Sequence, residues 1–262
     1  MVPRNSAHRR GKKTGNRGKI VGLSVAGTFF AIAAALATTI DWDPCEVGAC
    51  SPPPHRGVHR AYLFDATNIP TPNQMSVIRT SVLSGIESLK AGDTVCLYML
   101  QRHESGPLKE LMCGERPLRG KEVSRLNDNP KKRQAEYAHF EKKIEAALDA
   151  VASVKEESDG SPIIEAIWHL GQNKASGKVR EVEIWSDMVN KSSIVDHFRP
   201  PYGHERLNRS YASDVAGLEG AQVTVHQLVV NSKFQTEALT DWWGKYWSKT
   251  GMKVASHELI QP

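Results

Sequence analysis

Short apolar segments alternate with helix-like segments from about residue 58 to the end of this 262-residue chain, and this alternation constrains the fold more than any other feature. Four segments have the length and the β-branched or aromatic content of buried strands: AYLFDA (61–66), DTVCLYML (93–100), VREVEIWSDM (179–188) and AQVTVHQLVV (221–230). Strands that alternate with helices form a mainly parallel sheet with helices on both faces. We therefore predict a doubly wound α/β domain over 58–262.

Helix-start signals support two of the intervening helices. Thr71, Pro72 and Gln74 have the types and spacing of the N-cap, N1 and N3 residues of a capping box. Ser161 and Pro162 predict a second N-cap and N1 pair. Five apolar residues near the C-terminus follow helical spacing, which favours packing in the core over a membrane-facing or sugar-stacking role. They are Leu239, Trp242, Trp243, Tyr246 and Trp247.

Weaker patterns predict the remaining parts of the domain. We expect a short third strand at 108–113 and an edge strand at 253–259. Residues 114–135 mix charges without periodicity, which is typical of a solvated loop. His197 and His204 lie in an irregular region after the third of the four long strands, and we expect them to be solvated loop histidines.

The positive charge of the chain is confined to its N-terminus. The net charge is +5, but residues 1–19 hold seven of the 34 Lys and Arg residues and no acidic residue. The other residues therefore carry 27 basic and 29 acidic side chains, a net charge of −2. This distribution excludes a basic nucleic-acid-binding surface on the body of the protein.

A stretch of 21 residues without a charge, 20–40, follows the basic tail. About 20 apolar residues cross the hydrocarbon core of a bilayer as a helix. Basic residues before the stretch and acidic residues after it place the N-terminus in the cytoplasm. We predict a signal anchor in the inner (cytoplasmic) membrane of a bacterium, with the C-terminal domain periplasmic or extracellular. The alternative is a signal peptide cleaved after the small residues at 35–37.

Residues 41–57 are rich in proline and are predicted to be a spacer between the membrane and the domain. This spacer contains Cys45 and Cys50, and the domain contains Cys96 and Cys113. An even number of cysteines in an exported chain permits two disulfides, for which three pairings exist. Free buried thiols are the alternative. The sequence has no C-x-x-C motif, which disfavours zinc.

Polar oxygen-bearing residues follow the predicted strands, where ligands bind in doubly wound sheets. Asp65 and Thr67 follow the first strand, Ser161 opens a helix, and Asp187 ends a central strand. Carboxylates and hydroxyls are the ligands that Mg²⁺ or Mn²⁺ prefers. A divalent cation also removes the repulsion between two neighbouring aspartates. The alternative is that each residue caps a helix or a turn.

Three segments resemble, in order and spacing, the metal-ion-dependent adhesion site of von Willebrand factor A (vWA) domains: LFDATNI (63–69), GSPIIEAI (160–167) and EIWSDM (183–188). The family's segments are Asp-x-Ser-x-Ser after the first strand, a threonine that opens a helix, and an aspartate that ends a central strand. The resemblance covers about 58–262.

The resemblance implies that Asp65 and Asp187 hold Mg²⁺ or Mn²⁺ largely through water, with Thr67 and Ser161 as direct ligands. Ile69 departs from the family pattern, because it stands where the second serine should be and cannot coordinate a metal. In this family the second strand neighbours a short antiparallel third strand. The resemblance therefore also implies a disulfide between Cys96 and Cys113.

The expected function is that of a membrane-anchored protein-binding module. In vWA-like domains an acidic residue of the partner protein completes the metal's coordination shell. The alternatives are a metal-free scaffold subunit of an envelope complex and a metal-assisted hydrolase. The sequence has no Gly-x-Ser-x-Gly elbow, nucleophile–base pair or phosphate-binding glycine loop, so we expect no enzyme activity.

Overall fold

The structure is a computed structural model, which describes residues 57–67, 69–103, 106–122, 129–154, 160–172, 178–199, 215–230 and 233–262. The predicted tail, anchor and spacer lie outside these residues, apart from Gly57 at the end of the spacer. Cys45 and Cys50 therefore also lie outside them. Within the described part of the chain, no helix has the length and the apolar character needed to cross a membrane.

The described residues form one mixed sheet of six strands: β1 (His59–Asp65), β2 (Thr94–His103), β3 (Gly106–Glu115), β4 (Glu181–Ser186), β5 (Gln222–Leu228) and β6 (Lys253–Ile260). Their order across the sheet is β3-β2-β1-β4-β5-β6. All neighbours pair in parallel except β2 and β3, which are antiparallel. The predicted mainly parallel sheet is confirmed, and so is its edge strand β6.

Four α-helices accompany the sheet in the described residues: α1 (Pro72–Ser88), α2 (Pro130–Ala152), α3 (Ile163–Gln172) and α4 (Glu237–Thr250). Alternate residues of β1 point to opposite faces of the sheet. Tyr62 and Phe64 belong to the apolar cluster that contains α1 and α2. Ala61 and Leu63 belong to the cluster that contains α3 and α4. Helices therefore cover both faces of an α/β fold.

Two of the predicted local features are confirmed. The side chain of Thr71 accepts a hydrogen bond from the Gln74 amide, and the Gln74 side chain accepts one from the Thr71 amide, which completes the capping box of α1. The five apolar residues predicted to pack in the core are all buried on α4. The rings of the four aromatic residues contact one another, so this aromatic cluster stabilises the core and is not a surface patch.

Other expectations were wrong in detail. The third strand is ten residues long rather than six, because it pairs with β2 along most of that strand's length. The segment 114–135 is not a loop to its end, because α2 begins at Pro130. Asn129 caps this helix by accepting hydrogen bonds from the Lys131 and Lys132 amides.

Candidate functional site

The order of the strands places the topological switch point of the sheet between β1 and β4. β2 lies on one side of β1, and β4 lies on the other side, followed by β5 and β6. The connections that leave β1 and β4 therefore diverge at the carboxyl ends of these two strands, the place where ligands bind in open α/β sheets. Asp65 is the last residue of β1, and Ser186 is the last residue of β4.

The carboxylate of Asp65 accepts hydrogen bonds from three hydroxyl groups at this edge. Its Oδ1 accepts from the Thr67 hydroxyl at 2.5 Å and from the Thr67 amide at 3.0 Å. Its Oδ2 accepts from the Ser161 hydroxyl at 2.7 Å and from the Ser186 hydroxyl at 2.6 Å. We call these four residues the Asp65 cluster. All four are buried, so the cluster is a fixed group of oxygen atoms.

Ser161 does not have the N-cap role that its sequence context predicted. The carbonyl of Pro162 accepts the first helical hydrogen bond, from the Ala166 amide, so Ser161 lies one residue before the N-cap position of α3. The amide of Ile164 instead donates to the Asn190 side chain at 3.1 Å. Because Asn190 satisfies the helix end, the Ser161 hydroxyl is available to Asp65.

Ser186 is a member of the cluster that the sequence did not single out. Its hydroxyl also accepts a hydrogen bond from the Met188 amide at 2.9 Å, so one side chain joins the ends of β1 and β4. The available signal was its position next to Asp187. Successive side chains point to opposite faces within a strand. Ser186 is the last residue of β4, and Asp187 follows the strand.

Asp187 lies at the same strand end and is buried. Its Oδ1 accepts a hydrogen bond from the Val189 amide at 2.8 Å. Its carbonyl accepts from the side chains of Gln227 and Gln235. The structure therefore brings Asp65, Thr67 and Ser161 into direct contact, whereas Asp187 is joined to them through its neighbour Ser186.

The turn after Asp187 adopts an uncommon backbone conformation. Met188 has a φ of 64° and is the only described residue other than glycine with a positive φ. Its carbonyl accepts a hydrogen bond from the Trp243 indole at 2.7 Å, and its side chain is buried. A left-handed residue of this size persists only where the surrounding structure holds it, and such residues cluster at functional sites.

The loop after this turn is anchored inside the protein. His197 is fully buried, so the expectation of a solvated histidine was wrong. Its Nδ1 accepts a hydrogen bond from the Asn190 amide at 3.1 Å, and its ring contacts Trp242 edge-on. His204 lies outside the described residues. The aromatic cluster of α4 thus fixes the loop that carries Asn190.

An open depression of about 430 Å³ lies beside the start of α3. Its lining residues include Pro162, Glu165, Lys191 and Asp196. Burial raises the pKa of Glu165, and a hydrogen bond with Ser192 opposes that shift. Pro162, one of its lining residues, directly follows Ser161 of the Asp65 cluster along the chain.

Ile69 lies just beyond the cluster on the chain and is 41% exposed. This side chain supplies no oxygen atom, as the sequence indicated. Asn68, the residue before it, lies outside the described residues.

The Asp65 cluster consists of one carboxylate and three hydroxyl groups, which are hard oxygen ligands that suit Mg²⁺ or Mn²⁺. Each hydroxyl donates its proton to Asp65 and retains at least one lone pair, since Ser186 also accepts from the Met188 amide. No protein-family model matches the chain, and a search of curated proteins finds no match either. Any functional assignment therefore depends on the residues and their geometry.

The disulfide that the family resemblance implied is present. Cys96 and Cys113 are joined, and they face each other directly across the antiparallel pair β2–β3.

Proposed function

We propose that this chain is a membrane-anchored, extracytoplasmic vWA-like module that binds a protein partner through Mg²⁺ or Mn²⁺. The observation that carries the proposal is the convergence of β1, β4 and the start of α3 on the Asp65 carboxylate. These are the elements that carry the three segments of the family's metal site. The antiparallel third strand beside the second is also what the resemblance to such domains implies.

In this proposal Asp65, Thr67 and Ser161 hold the ion, with Ser186 beside them and Asp187 acting through water. Ile69 contributes no ligand, so the protein leaves the coordination shell incomplete. A carboxylate from a partner protein would supply both an oxygen ligand and a negative charge. Membrane attachment through 20–40 rests on the sequence alone.

A metal-free scaffold subunit is the second candidate, and one observation favours it. Three hydroxyl donors already satisfy the Asp65 carboxylate, as a buried polar group requires. A cluster that is complete in this way needs no cation. A metal-assisted hydrolase has no comparable observation in its favour.

Metal binding separates the two candidates. We would titrate the full chain in detergent micelles with Mn²⁺ and measure free Mn²⁺ by electron paramagnetic resonance. The metal-dependent module binds one Mn²⁺, and Mg²⁺ displaces it. Asp65→Asn and Asp187→Asn abolish binding, whereas Asp241→Asn, at an exposed position on α4, leaves it unchanged. Absence of binding by the unmodified chain at millimolar Mn²⁺ would reject the metal-dependent module and favour the scaffold.

A further inference from the structure

His59, Cys96 and Cys113 bring one imidazole and two sulfur atoms together far from the Asp65 cluster. The Nε2 atom of His59 lies 3.2 Å from the Cys96 sulfur. One ligand atom from each of the three residues lies within 4.8 Å of the other two. His59 is the first residue of β1 and Asp65 is the last, so about 20 Å of strand separates the two places.

The pairing of three strands creates this group. Cys96 pairs with Ala61 of β1, two residues after His59, and with Cys113 of β3. Side chains two residues apart on a strand share a face, so His59 and Cys96 meet on one side of the sheet. The sequence disfavoured zinc because no motif lies within a short segment. The histidine that completes the ligand set comes from a different strand.

Burial differs among the three residues. His59 and Cys96 are buried, whereas Cys113 is exposed. The two buried residues are held by the strands around them, and the exposed sulfur gives a metal or a reductant access from solvent. A set of three protein ligands also leaves a fourth coordination position open, as in zinc sites that bind a further ligand.

We propose that, when the disulfide is reduced, Cys96, Cys113 and His59 bind one Zn²⁺ ion. Two thiolates and an imidazole are ligands that zinc prefers and magnesium does not. The disulfide and the zinc complex are then alternative states of one site, selected by the redox conditions. This site is independent of the metal-dependent function proposed for the Asp65 cluster.

The conversion balances with a dithiol as the reductant. The dithiol transfers two electrons and two protons to the sulfur atoms, the bond between Cys96 and Cys113 breaks, and the dithiol becomes a disulfide. Zn²⁺ then displaces both thiol protons, and neutral His59 binds through Nε2.

The strands need little movement for this change. A tetrahedral zinc ion holds two sulfurs about 3.8 Å apart. Directly opposed residues of an antiparallel pair, such as Cys96 and Cys113, have Cβ atoms about 4.5–5.5 Å apart. The two distances are similar, so both sulfurs can reach one zinc ion without a rearrangement of the strands.

Cobalt absorption provides a direct test. We would use the full chain in detergent with Cys45→Ser and Cys50→Ser, so that only Cys96 and Cys113 supply sulfur. After reduction with dithiothreitol and removal of the reductant without oxygen, Co²⁺ should produce a thiolate-to-cobalt charge-transfer band at one equivalent. Zn²⁺ should abolish this band. The oxidised protein should give no band, and Co²⁺ bound by the oxygen ligands of the Asp65 cluster cannot produce one.

Two variants test the ligand set. His59→Ala should weaken Co²⁺ binding at least about tenfold, since even indirect partners of a metal ligand are worth that much. His139→Ala, at an exposed position on α2, is the control and should bind like the parent. Because His59 is buried, Cys113→Ser provides a second test at an exposed position and should remove most of the band. The proposal is overturned if the reduced parent gives no band, or if folded His59→Ala and Cys113→Ser both bind as tightly as the parent.

Discussion

The hydroxyl of Ser161 donates a 2.7 Å hydrogen bond to the carboxylate of Asp65, although 96 positions of sequence separate the two residues. Ser161 can do so because Asn190 satisfies the start of α3 in its place. The contact ties the helix that follows Ser161 to the end of β1. Ser161 is therefore both a structural link and one of the three residues proposed to hold the metal.

Removal of the Ser161 hydroxyl should destabilise the protein even without metal. Ser161→Ala takes one of three hydroxyl donors from a buried carboxylate, and we expect the free energy of unfolding to fall by about 1.5–3 kcal/mol, the usual worth of a hydrogen bond to a charged group. Urea denaturation with excess chelator measures the change. Ser88→Ala removes an exposed hydroxyl that bonds to the Gly85 carbonyl and should cost less than about 0.5 kcal/mol. Equal effects of the two substitutions would contradict the role given to Ser161.

Replacing Ile69 by serine should strengthen metal binding. Ile69→Ser restores the hydroxyl at the one position that departs from the family pattern, and Ile69 is 41% exposed, so the core is little affected. One added direct ligand should tighten Mn²⁺ binding by about tenfold, or about 1.4 kcal/mol. Isothermal titration calorimetry on the two chains measures the difference.

The matched control is Val77→Ser, which also replaces an exposed β-branched residue, on α1. It should leave Mn²⁺ affinity unchanged. If Ile69→Ser binds no better than this control, the position does not face the metal.

Features that depend on residues close together along the chain were predictable from the sequence. The capping box of Thr71 and Gln74 and the buried aromatic face of α4 follow from spacing along one helix. The strands followed from apolar composition in the same way. The start of α2 also has a local signal, because Asn129 and Pro130 are typical N-cap and N1 residues. The mixed charges around them favoured a loop instead.

Features that depend on which strands become neighbours were harder to predict. Ser161 was expected near Asp65 but also as an N-cap residue, whereas Ser186 was not singled out, because only the pairing of β1 with β4 brings its hydroxyl to Asp65. In the same way, the proximity of His59 to Cys96 appears only when β1 and β2 are in register. Tertiary pairing decides such contacts, and no short-range pattern encodes it.

The ion pair between Arg116 and Glu122 should make stability depend on pH in acid. Arg116 is buried and donates two hydrogen bonds to the Glu122 carboxylate, at 2.8 and 3.1 Å. This contact lowers the pKa of Glu122 from about 4.5 to about 2. Because the folded pKa is the lower one, the stabilisation is present above about pH 4.5 and is lost as the pH falls through 2.

Comparison with Glu122→Gln isolates this contribution from the titration of other groups. We expect the variant to be less stable than the parent by about 1 kcal/mol at pH 7, after allowance for solvent screening of the exposed Glu122. The gap should close between pH 4.5 and pH 2 in urea denaturation. Glu145→Gln, which breaks a surface ion pair with Arg79, should show a smaller gap at pH 7. A gap for Glu122→Gln that stays constant down to pH 2 would contradict the assigned pKa.

The left-handed backbone at Met188 should reverse the usual order of alanine and glycine. Both Met188→Ala and Met188→Gly remove a buried side chain, so both should destabilise the protein by about 2–5 kcal/mol. At a φ of 64°, however, glycine avoids a strain of about 1–2 kcal/mol that alanine keeps. We therefore expect Met188→Gly to be the more stable of the two by about 1 kcal/mol in chemical denaturation. Met99, a buried residue of β2 in register with both neighbouring strands, supplies the control, because at such a strand position alanine should exceed glycine by about 0.5–1 kcal/mol. The same order of alanine and glycine at both positions would show that the turn beside Asp187 carries no backbone strain.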